Sequence, residues 1–305
     1  MSFRTKRLIL KIPGVLIFIK LLKKITVPGL NGLSLFDLLR MYLEGIIKGA
    51  FSTRASAISF SLFLAIFPFL LFLLNLIPFV PFDNFQEEFI KFIDEILPPN
   101  TSVFFGSIIA DIVKNKRGGL LSSTFILSMF LMTNGINAVF SGFSNSFHIG
   151  INRNFLRQYG VAFGVAIIVA LFLISTVYVT LYFTYLVNTY NRYIFGDIIY
   201  WLNIGRIIFF VTMILLTTAT LFYFGTKEGK ITRFFSPGAV LTTILIIATT
   251  YLFGFYINNF SRYNEIYGSI GALLILMLYI WLNANLVLLG YELNASIAKL
   301  KKIKN

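Results

Sequence analysis

The chain of 305 residues is 57% hydrophobic and only 12% charged, with a mean hydropathy of +0.83. A soluble domain carries about twice that charged fraction, so a water-soluble globular protein is excluded. The net charge of +14 raises the question of nucleic acid, but the positions of the charges decide what they bind. The absence of cysteine excludes a disulfide framework, a thiolate metal site and a cysteine nucleophile.

The N-terminal segment, residues 1–54, is basic and does not resemble a cleaved signal. Lys11, Lys20 and Lys23 interrupt or closely bound its first apolar stretch, and no small-residue cleavage site follows. We interpret this segment as cytoplasmic or interfacial, with N-terminal amphipathic helices. The sequence gives no role for residues 1–30.

Residues 34–50 have the periodicity of an amphipathic helix. Ser34 followed by Asp37 is a helix start signal, and charged residues recur on one face. The other face is apolar and comprises Leu35, Leu38, Leu39, Tyr42, Leu43, Ile46 and Ile47. We expect this helix to lie at the inner membrane surface or to pack on the bundle, and the two arrangements are compatible.

Six stretches are long and apolar enough to cross a membrane, which takes about 20 residues. They cover residues 55–79, 120–143, 159–187, 200–225, 234–258 and 268–294. The predicted fold is therefore all-α: a polytopic membrane bundle of about six transmembrane helices. Its membrane domain covers 55–294, and a basic cytoplasmic tail follows at 295–305.

Basic residues divide unequally between the two sides of these spans. Residues 1–54 carry ten Lys and Arg, 144–158 two, 226–233 three and 295–305 four, whereas the alternate connections carry six. Because positive charge concentrates in cytoplasmic segments, we expect both termini in the cytoplasm. Anionic membrane lipid then explains the net charge, without nucleic acid.

The connection 80–118 is long for a structureless loop. Phenylalanine and isoleucine form an apolar stripe opposite acidic residues, and Pro98 and Pro99 end that helix. Asn100 or Thr101 can then cap a second one. The pattern predicts a two-helix cap over the outer face of the bundle.

Residues for catalysis or metal binding are sparse. His148, the single histidine, has no carboxylate cluster nearby in sequence, and we interpret it as a surface or interfacial residue. The motifs of nucleotide-binding loops, zinc proteases and α/β-hydrolases do not occur. We assign no catalytic residue, metal or cofactor, and interpret the protein as not an enzyme.

Three charged residues lie within or beside the spans, where burial is costly unless they meet a partner or water. Arg206, in the fourth span, either reaches the outer surface or lines a cavity open to the outside. Glu292 lies near the inner end of the sixth span and Arg54 at the inner start of the first. We expect an Arg54–Glu292 contact that joins the first and last helices.

Uncharged polar residues form a stripe on the second span. Asn134, Asn137 and Ser141 follow helical spacing, and Asn145 continues the stripe beyond the span. One interpretation is that such residues join helices through hydrogen bonds. The other is that they line a polar cavity or pathway through the bundle.

The first and sixth spans carry further candidates for the same two roles. Asn283 and Asn285 lie near the middle of the sixth span. Ser59 lies in the inner part of the first span, and Pro68 beyond it is a kink site.

Three blocks of the sequence resemble the YihY/BrkB family of bacterial inner-membrane proteins. They are RASAISFSLFLAIFPFLLFLL in the first span, TNGINAVFSGFSNSFH in the second, and YGSIGALLILMLYIWLNANLVLLGYELNASI at 267–297. The resemblance implies six helices in the bacterial inner membrane with cytoplasmic termini. Its motifs select the positions to test first, which are Arg54, Ser59, Pro68, Asn134, Gly268, Gly271 and Glu292.

The resemblance implies little about activity, because the family has carried both ribonuclease and virulence-factor names. With the polar stripe, the outer cap and the surface helix, it favours transport of a lipid-like or amphipathic envelope solute. The alternative is a non-transporting scaffold that binds partners or shapes lipid. A ribonuclease is disfavoured because the sequence has neither clustered carboxylates nor paired histidines. Membrane lipids and an envelope solute are the expected partners, and the sequence does not indicate an oligomeric state.

Overall fold

The computed structural model describes nine stretches of the chain, and these are almost entirely helical. They are residues 23–24, 34–48, 50–79, 111–112, 115–144, 154–190, 196–225, 233–260 and 270–304. The helices are α1 (Leu35–Lys48), α2 (Phe51–Leu76, continued by a 3-10 turn at Ile77–Phe79), α3 (Gly118–Ser144), α4 (Phe155–Tyr190), α5 (Gly196–Gly225), α6 (Pro237–Phe260) and α7 (Ile270–Lys304).

Helices α2 to α7 are each long and apolar enough to cross a membrane, which confirms the six predicted spans. Their candidate spans are Phe51–Phe79, Gly118–Ser144, Phe155–Thr180, Tyr200–Gly225, Pro237–Ile257 and Leu273–Leu300. The last helix runs to Lys304 and takes in most of the basic tail. Its final residues favour a helix because neither Gly nor Pro follows Gly290.

The six long helices form a ring in which each packs on its neighbour in sequence, and α7 returns to α2. Helix α3 also reaches α5 and α7, so it lies closest to the centre. Its Phe140 and Phe143 are fully buried. Phe143 stacks on Tyr291 of α7, with ring centroids 4.2 Å apart, and contacts Phe222 of α5 edge-on.

Contacts between the helices establish which ends lie together. The start of α2 meets the end of α3, since Arg54 bonds to Gly142. The start of α6 meets the last third of α7, since Gly238 bonds to Asn294. We call this the terminal end of the bundle, because α2 begins and α7 ends there.

Helix α1 begins with reciprocal hydrogen bonds between Ser34 and Asp37, as its sequence predicts. Ser34 Oγ donates to the Asp37 carboxylate at 2.6 Å and accepts from the Asp37 N–H at 3.3 Å. The helix packs on α7 and buries Leu38. Leu43 and Ile47 remain 53% and 76% exposed, so one apolar row faces the bundle and another faces outward. The predicted packing on the bundle is present, and the location at the inner membrane surface stays a prediction.

Parts of several predictions fall outside the described residues. The predicted outer cap lies at 80–118, of which 80–110 and 113–114 are not described. The same holds for the first 22 residues, for His148 and for Asn145.

Candidate functional site

A groove opens between α2 and α4 at the terminal half of the bundle. Both helices pack on α3 but make little contact with each other, so α3 forms the floor of the groove. The cavity has a volume of about 420 Å³ and is open to one side. It is lined by Ser61, Leu64, Leu131, Asn134, Asn137, Ala138 and Tyr159. The groove therefore has a polar floor inside a hydrophobic bundle.

The stripe predicted on the second span supplies this floor and is held by the start of α4. The Tyr159 hydroxyl donates to Asn134 Oδ1 at 3.1 Å. Gln158 Nε2 donates to Asn137 Oδ1 at 2.7 Å and to Ser141 Oγ at 3.2 Å. Both asparagine side chains are thus fixed by one hydrogen bond each while remaining partly exposed. The two interpretations of the stripe apply together, because these amides join helices and line a cavity.

Helix α2 forms one wall of the groove, and its backbone hydrogen bonding is interrupted near the cavity. Ser61 Oγ donates to the Ala57 carbonyl oxygen at 3.0 Å, within the helix. Pro68 is buried and has no N–H, so it cannot donate to the carbonyl oxygen of Leu64 one turn earlier. Leu64 is one of the residues that line the groove. The wall next to the cavity therefore contains a backbone acceptor that lacks its usual helical donor.

The other predicted amides do not reach the groove. Asn283 Nδ2 and Asn285 Nδ2 each donate, at 2.8 Å, to the carbonyl oxygen four residues earlier in α7. Neither residue lines the cavity. Ser59 is buried and donates to the Ser56 carbonyl oxygen at 3.0 Å. A single continuous pathway that joins Asn134 to Asn283 is thus not seen in the described part of the bundle.

Arg54 and Glu292 lie together in the buried interior of the terminal end. Arg54 is 7% exposed and Glu292 is fully buried. The Arg54 Nη1 group donates to the Gly142 carbonyl oxygen at 2.8 Å, and its guanidinium lies 4.7 Å from the Phe51 ring centre. The Glu292 charge acts on Arg54, so the two side chains interact electrostatically. The Gly142 carbonyl oxygen takes a hydrogen bond from Arg54, and the expected direct contact between Arg54 and Glu292 stays a prediction.

Tyr42 brings α1 into this buried charge site. Burial, and secondly the negative charge of Glu292, raise the pKa of the Tyr42 hydroxyl above its ordinary value. A carboxylate on the last span therefore acts on a residue of the surface helix. The helix that precedes the first span is electrostatically coupled to the bundle.

Arg206 lies in α5 and is partly exposed. It does not line the groove, and within the described ranges no hydrogen bond or ion pair involves it. Both interpretations of Arg206, extension towards the membrane surface and the lining of a cavity open to the outside, stay predictions.

A close contact between α6 and α7 was missed by the sequence analysis. A methyl group at Gly238 of α6 would overlap the Gly290 carbonyl oxygen of α7, and one at Gly290 would overlap Thr242 Oγ1. Asn294 Oδ1 accepts from the Gly238 N–H at 2.9 Å, and its Nδ2 donates to Ser236 Oγ at 2.8 Å. We call these five residues the α6–α7 seam.

A sequence signal for one half of the seam was available. Ser236 followed by Pro237 is a helix start, with Ser as the cap and Pro at the first helical position. The Ser236 hydroxyl indeed accepts from the Ala239 N–H at 3.3 Å. The partner Asn294, 58 residues later than Ser236, carries no comparable signal.

Groups of three or more His, Cys, Asp or Glu side chains that could hold a metal ion do not occur among the described residues. The polar side chains of the groove and of the seam are all neutral. The polar side chains that line the groove can bind a ligand through hydrogen bonds.

Comparisons with known proteins agree on a membrane protein family. A family model described as virulence factor BrkB matches residues 43–305. The Bacillus subtilis protein YfkH, described as ribonuclease-like, is 27% identical over 261 residues, which cover 82% of this chain and 91% of YfkH. A UPF0761 membrane protein of Xanthomonas axonopodis is 47% identical over 62 residues, which cover 20% of this chain and 15% of that protein. No solved structure matches.

Proposed function

The chain belongs to the BrkB family, and on that premise we propose that it moves a lipid-like or amphipathic envelope solute across or within the membrane. The groove is the observation that carries the proposal. Polar residues exposed within a membrane bundle are costly unless they meet water or a ligand. Asn134 and Asn137 sit in such a place, because α2 and α4 leave the α3 floor uncovered.

The position of the groove favours a solute that arrives from within the bilayer. Leu64, which lines the groove, is exposed, and so are Phe60 and Phe163, which lie one helical turn from Leu64 and from Tyr159. A polar group can occupy the floor while attached hydrocarbon stays on these apolar side chains. An amphipathic solute satisfies both surfaces at once, whereas a fully polar one leaves the apolar side chains unsatisfied.

We place the protein in the bacterial inner membrane with both termini in the cytoplasm. The support is the unequal distribution of Lys and Arg in the connections. In this orientation the groove lies in the cytoplasmic half of the bundle. We assign the chain no enzymatic activity, and the ribonuclease-like description belongs to YfkH.

The alternative is a scaffold that binds partners or shapes lipid without transport. The α6–α7 seam favours it, because there the Asn294 amide serves only to join the two helices, through bonds to Gly238 and Ser236. In that case the groove would be a permanent lipid-binding surface.

Movement of fluorescent lipids in liposomes tests the proposal. Purified protein is reconstituted with NBD-labelled lipids whose headgroups are neutral, zwitterionic or anionic. Dithionite then quenches only the label exposed outside, so lipid movement appears as additional quenching with time. We expect the wild-type protein to accelerate the movement of at least one of these lipids.

A control variant distinguishes the asparagines of the groove from an asparagine elsewhere in the bundle. Asn134→Leu with Asn137→Leu should return movement to the protein-free rate, whereas Asn285→Leu, an amide of α7 outside the groove, should leave it unchanged. Wild-type liposomes that move none of the lipids would favour the scaffold. Equal rates in the wild-type and groove variants would remove the groove from the mechanism.

A further inference from the structure

The chemistry of the groove restricts the headgroup that it can hold. Its lining contains two amides, two hydroxyls and three apolar side chains, and no charged residue. A charged group moved from water into a site without an opposite charge loses hydration that nothing repays. An anionic or cationic headgroup is therefore poorly matched to this site.

The directions of the hydrogen bonds determine what the floor offers. Asn134 Oδ1 accepts from the Tyr159 hydroxyl, and Asn137 Oδ1 accepts from Gln158 Nε2. With both carbonyl oxygens engaged, the amide N–H groups are what remains for a ligand. Neither Nδ2 atom bonds to any residue that the structure describes. The floor is thus a surface of neutral donors.

The walls of the groove offer hydrogen-bond acceptors instead of donors. The Ser61 hydroxyl proton is committed to the Ala57 carbonyl oxygen, and the Tyr159 hydroxyl proton to Asn134. Each hydroxyl retains lone pairs that accept a hydrogen bond. A ligand in the groove meets donors below it and acceptors beside it.

We propose that the groove selects an uncharged, hydroxyl-rich headgroup, such as the sugar of a glycolipid. This inference rests on the proposed function and names the substrate class of the same site. A hydroxyl group both donates and accepts, so it can accept from the floor and donate to the walls. Phosphate oxygens only accept and an ammonium only donates, and headgroups that contain these groups bring formal charges that no residue lining the groove can neutralise. The cavity, at about 420 Å³, lies in the range of about 300–1,000 Å³ that is usual for small-molecule sites.

Competitive lipid retention tests this selection separately from transport. Detergent-solubilised full-length protein is incubated with equal amounts of dioleoyl monoglucosylglycerol, dioleoylphosphatidylglycerol and dioleoylphosphatidylethanolamine, repurified, and its bound lipids are counted by mass spectrometry. We expect the glucolipid to be enriched about tenfold over phosphatidylglycerol, which corresponds to about 1.4 kcal/mol.

Two variants connect the enrichment to the donors on the floor. Asn134→Asp keeps the side-chain shape and the bond from Tyr159 but replaces the N–H donors with an acceptor, so the enrichment should disappear. Asn134→Leu should abolish it as well, and Asn285→Leu should retain it. Thermal unfolding of each variant confirms that the protein is folded.

The outcomes distinguish this inference from the proposed function. Preferential retention of phosphatidylglycerol, or glucolipid enrichment that persists in Asn134→Leu, would overturn the headgroup selection. Enrichment without any lipid movement in liposomes would leave the headgroup selection standing and remove the transport function. Movement of all three lipids with no enrichment would leave the transport function standing and remove the headgroup selection.

Discussion

The groove and the α6–α7 seam are built from the same kinds of residue and behave oppositely. Each has asparagine side chains in a transmembrane helix facing hydroxyl groups. At the seam, Asn294 is buried and both ends of its amide bond across the helix contact. At the groove, Asn134 and Asn137 use their oxygens to bond to α4 and keep their N–H groups accessible.

The groove and the seam differ in how much space lies beside the asparagine side chain. Gly238 and Gly290 bring the two backbones of the seam so close that no space remains. At the groove, α3 lies between α2 and α4, and no further described helix covers the floor. An asparagine in a transmembrane helix is therefore a packing residue or a binding residue according to the space beside it, not according to its type.

The largest expected effect is the loss of the buried guanidinium of Arg54, which belongs to the closed part of the bundle. Arg54→Met removes the bond to the Gly142 carbonyl oxygen and leaves the Glu292 carboxylate without this nearby positive charge. The free energy of unfolding should fall by about 3–5 kcal/mol, as when one partner of a buried charge pair is removed. Denaturant unfolding in detergent micelles measures it.

Two further variants sharpen this result. Arg157→Met removes an exposed basic residue at the start of α4 and should change stability by less than about 0.5 kcal/mol. Arg54→Met combined with Glu292→Gln should be more stable than the sum of the two single losses predicts, because the electrostatic interaction between the two residues is lost only once. A strictly additive double variant would mean that the two residues act independently.

A smaller loss is expected when the seam is forced apart. The methyl group of Gly238→Ala overlaps the Gly290 carbonyl oxygen and the Asn294 amide, so the helices must separate, at a cost of about 1–3 kcal/mol. Gly254→Ala, on the same helix with nothing within 4 Å of its added methyl group, is the matched control. Thermal unfolding should separate the two variants, and equal melting temperatures would mean that the seam adds no stability.

The smallest effect on stability is expected at the groove. A variant there gives the most direct test of the difference between the groove and the seam. Asn137→Leu loses one hydrogen bond to Gln158 at a partly exposed position, so stability should fall by about 1 kcal/mol or less. The same substitution should strongly reduce lipid binding. If Asn137→Leu destabilises the protein as much as Gly238→Ala does, the groove asparagines are packing residues like those of the seam.

Much of the fold follows from the sequence because lipid imposes one strong requirement. A span must be about 20 apolar residues long, and such runs are visible without any knowledge of their neighbours. The start of α1 was likewise predictable, since Ser34 and Asp37 bond within one turn of the same helix. These features depend on local interactions alone.

The site was only half predictable for the same reason. Helical spacing places Asn134, Asn137 and Ser141 on one face, but nothing local indicates that Gln158 and Tyr159 bond to that face. Nor does spacing separate the accessible Asn134 from Asn283, which bonds to its own helix. Which helices meet, and how closely, depends on residues far apart in sequence.

The depth of the groove has a consequence for how a ligand would leave it. Ser61 lies ten residues after the start of α2, which is about 15 Å along a helix, or about half of a hydrocarbon core of roughly 30 Å. If α2 enters the hydrocarbon core near its start, a groove at this depth would be open to a single leaflet. To deliver a lipid to the opposite leaflet, the helices beyond Leu64 and Leu131 would have to separate, and α2 has Pro68 one turn further on, where a helix bends most easily.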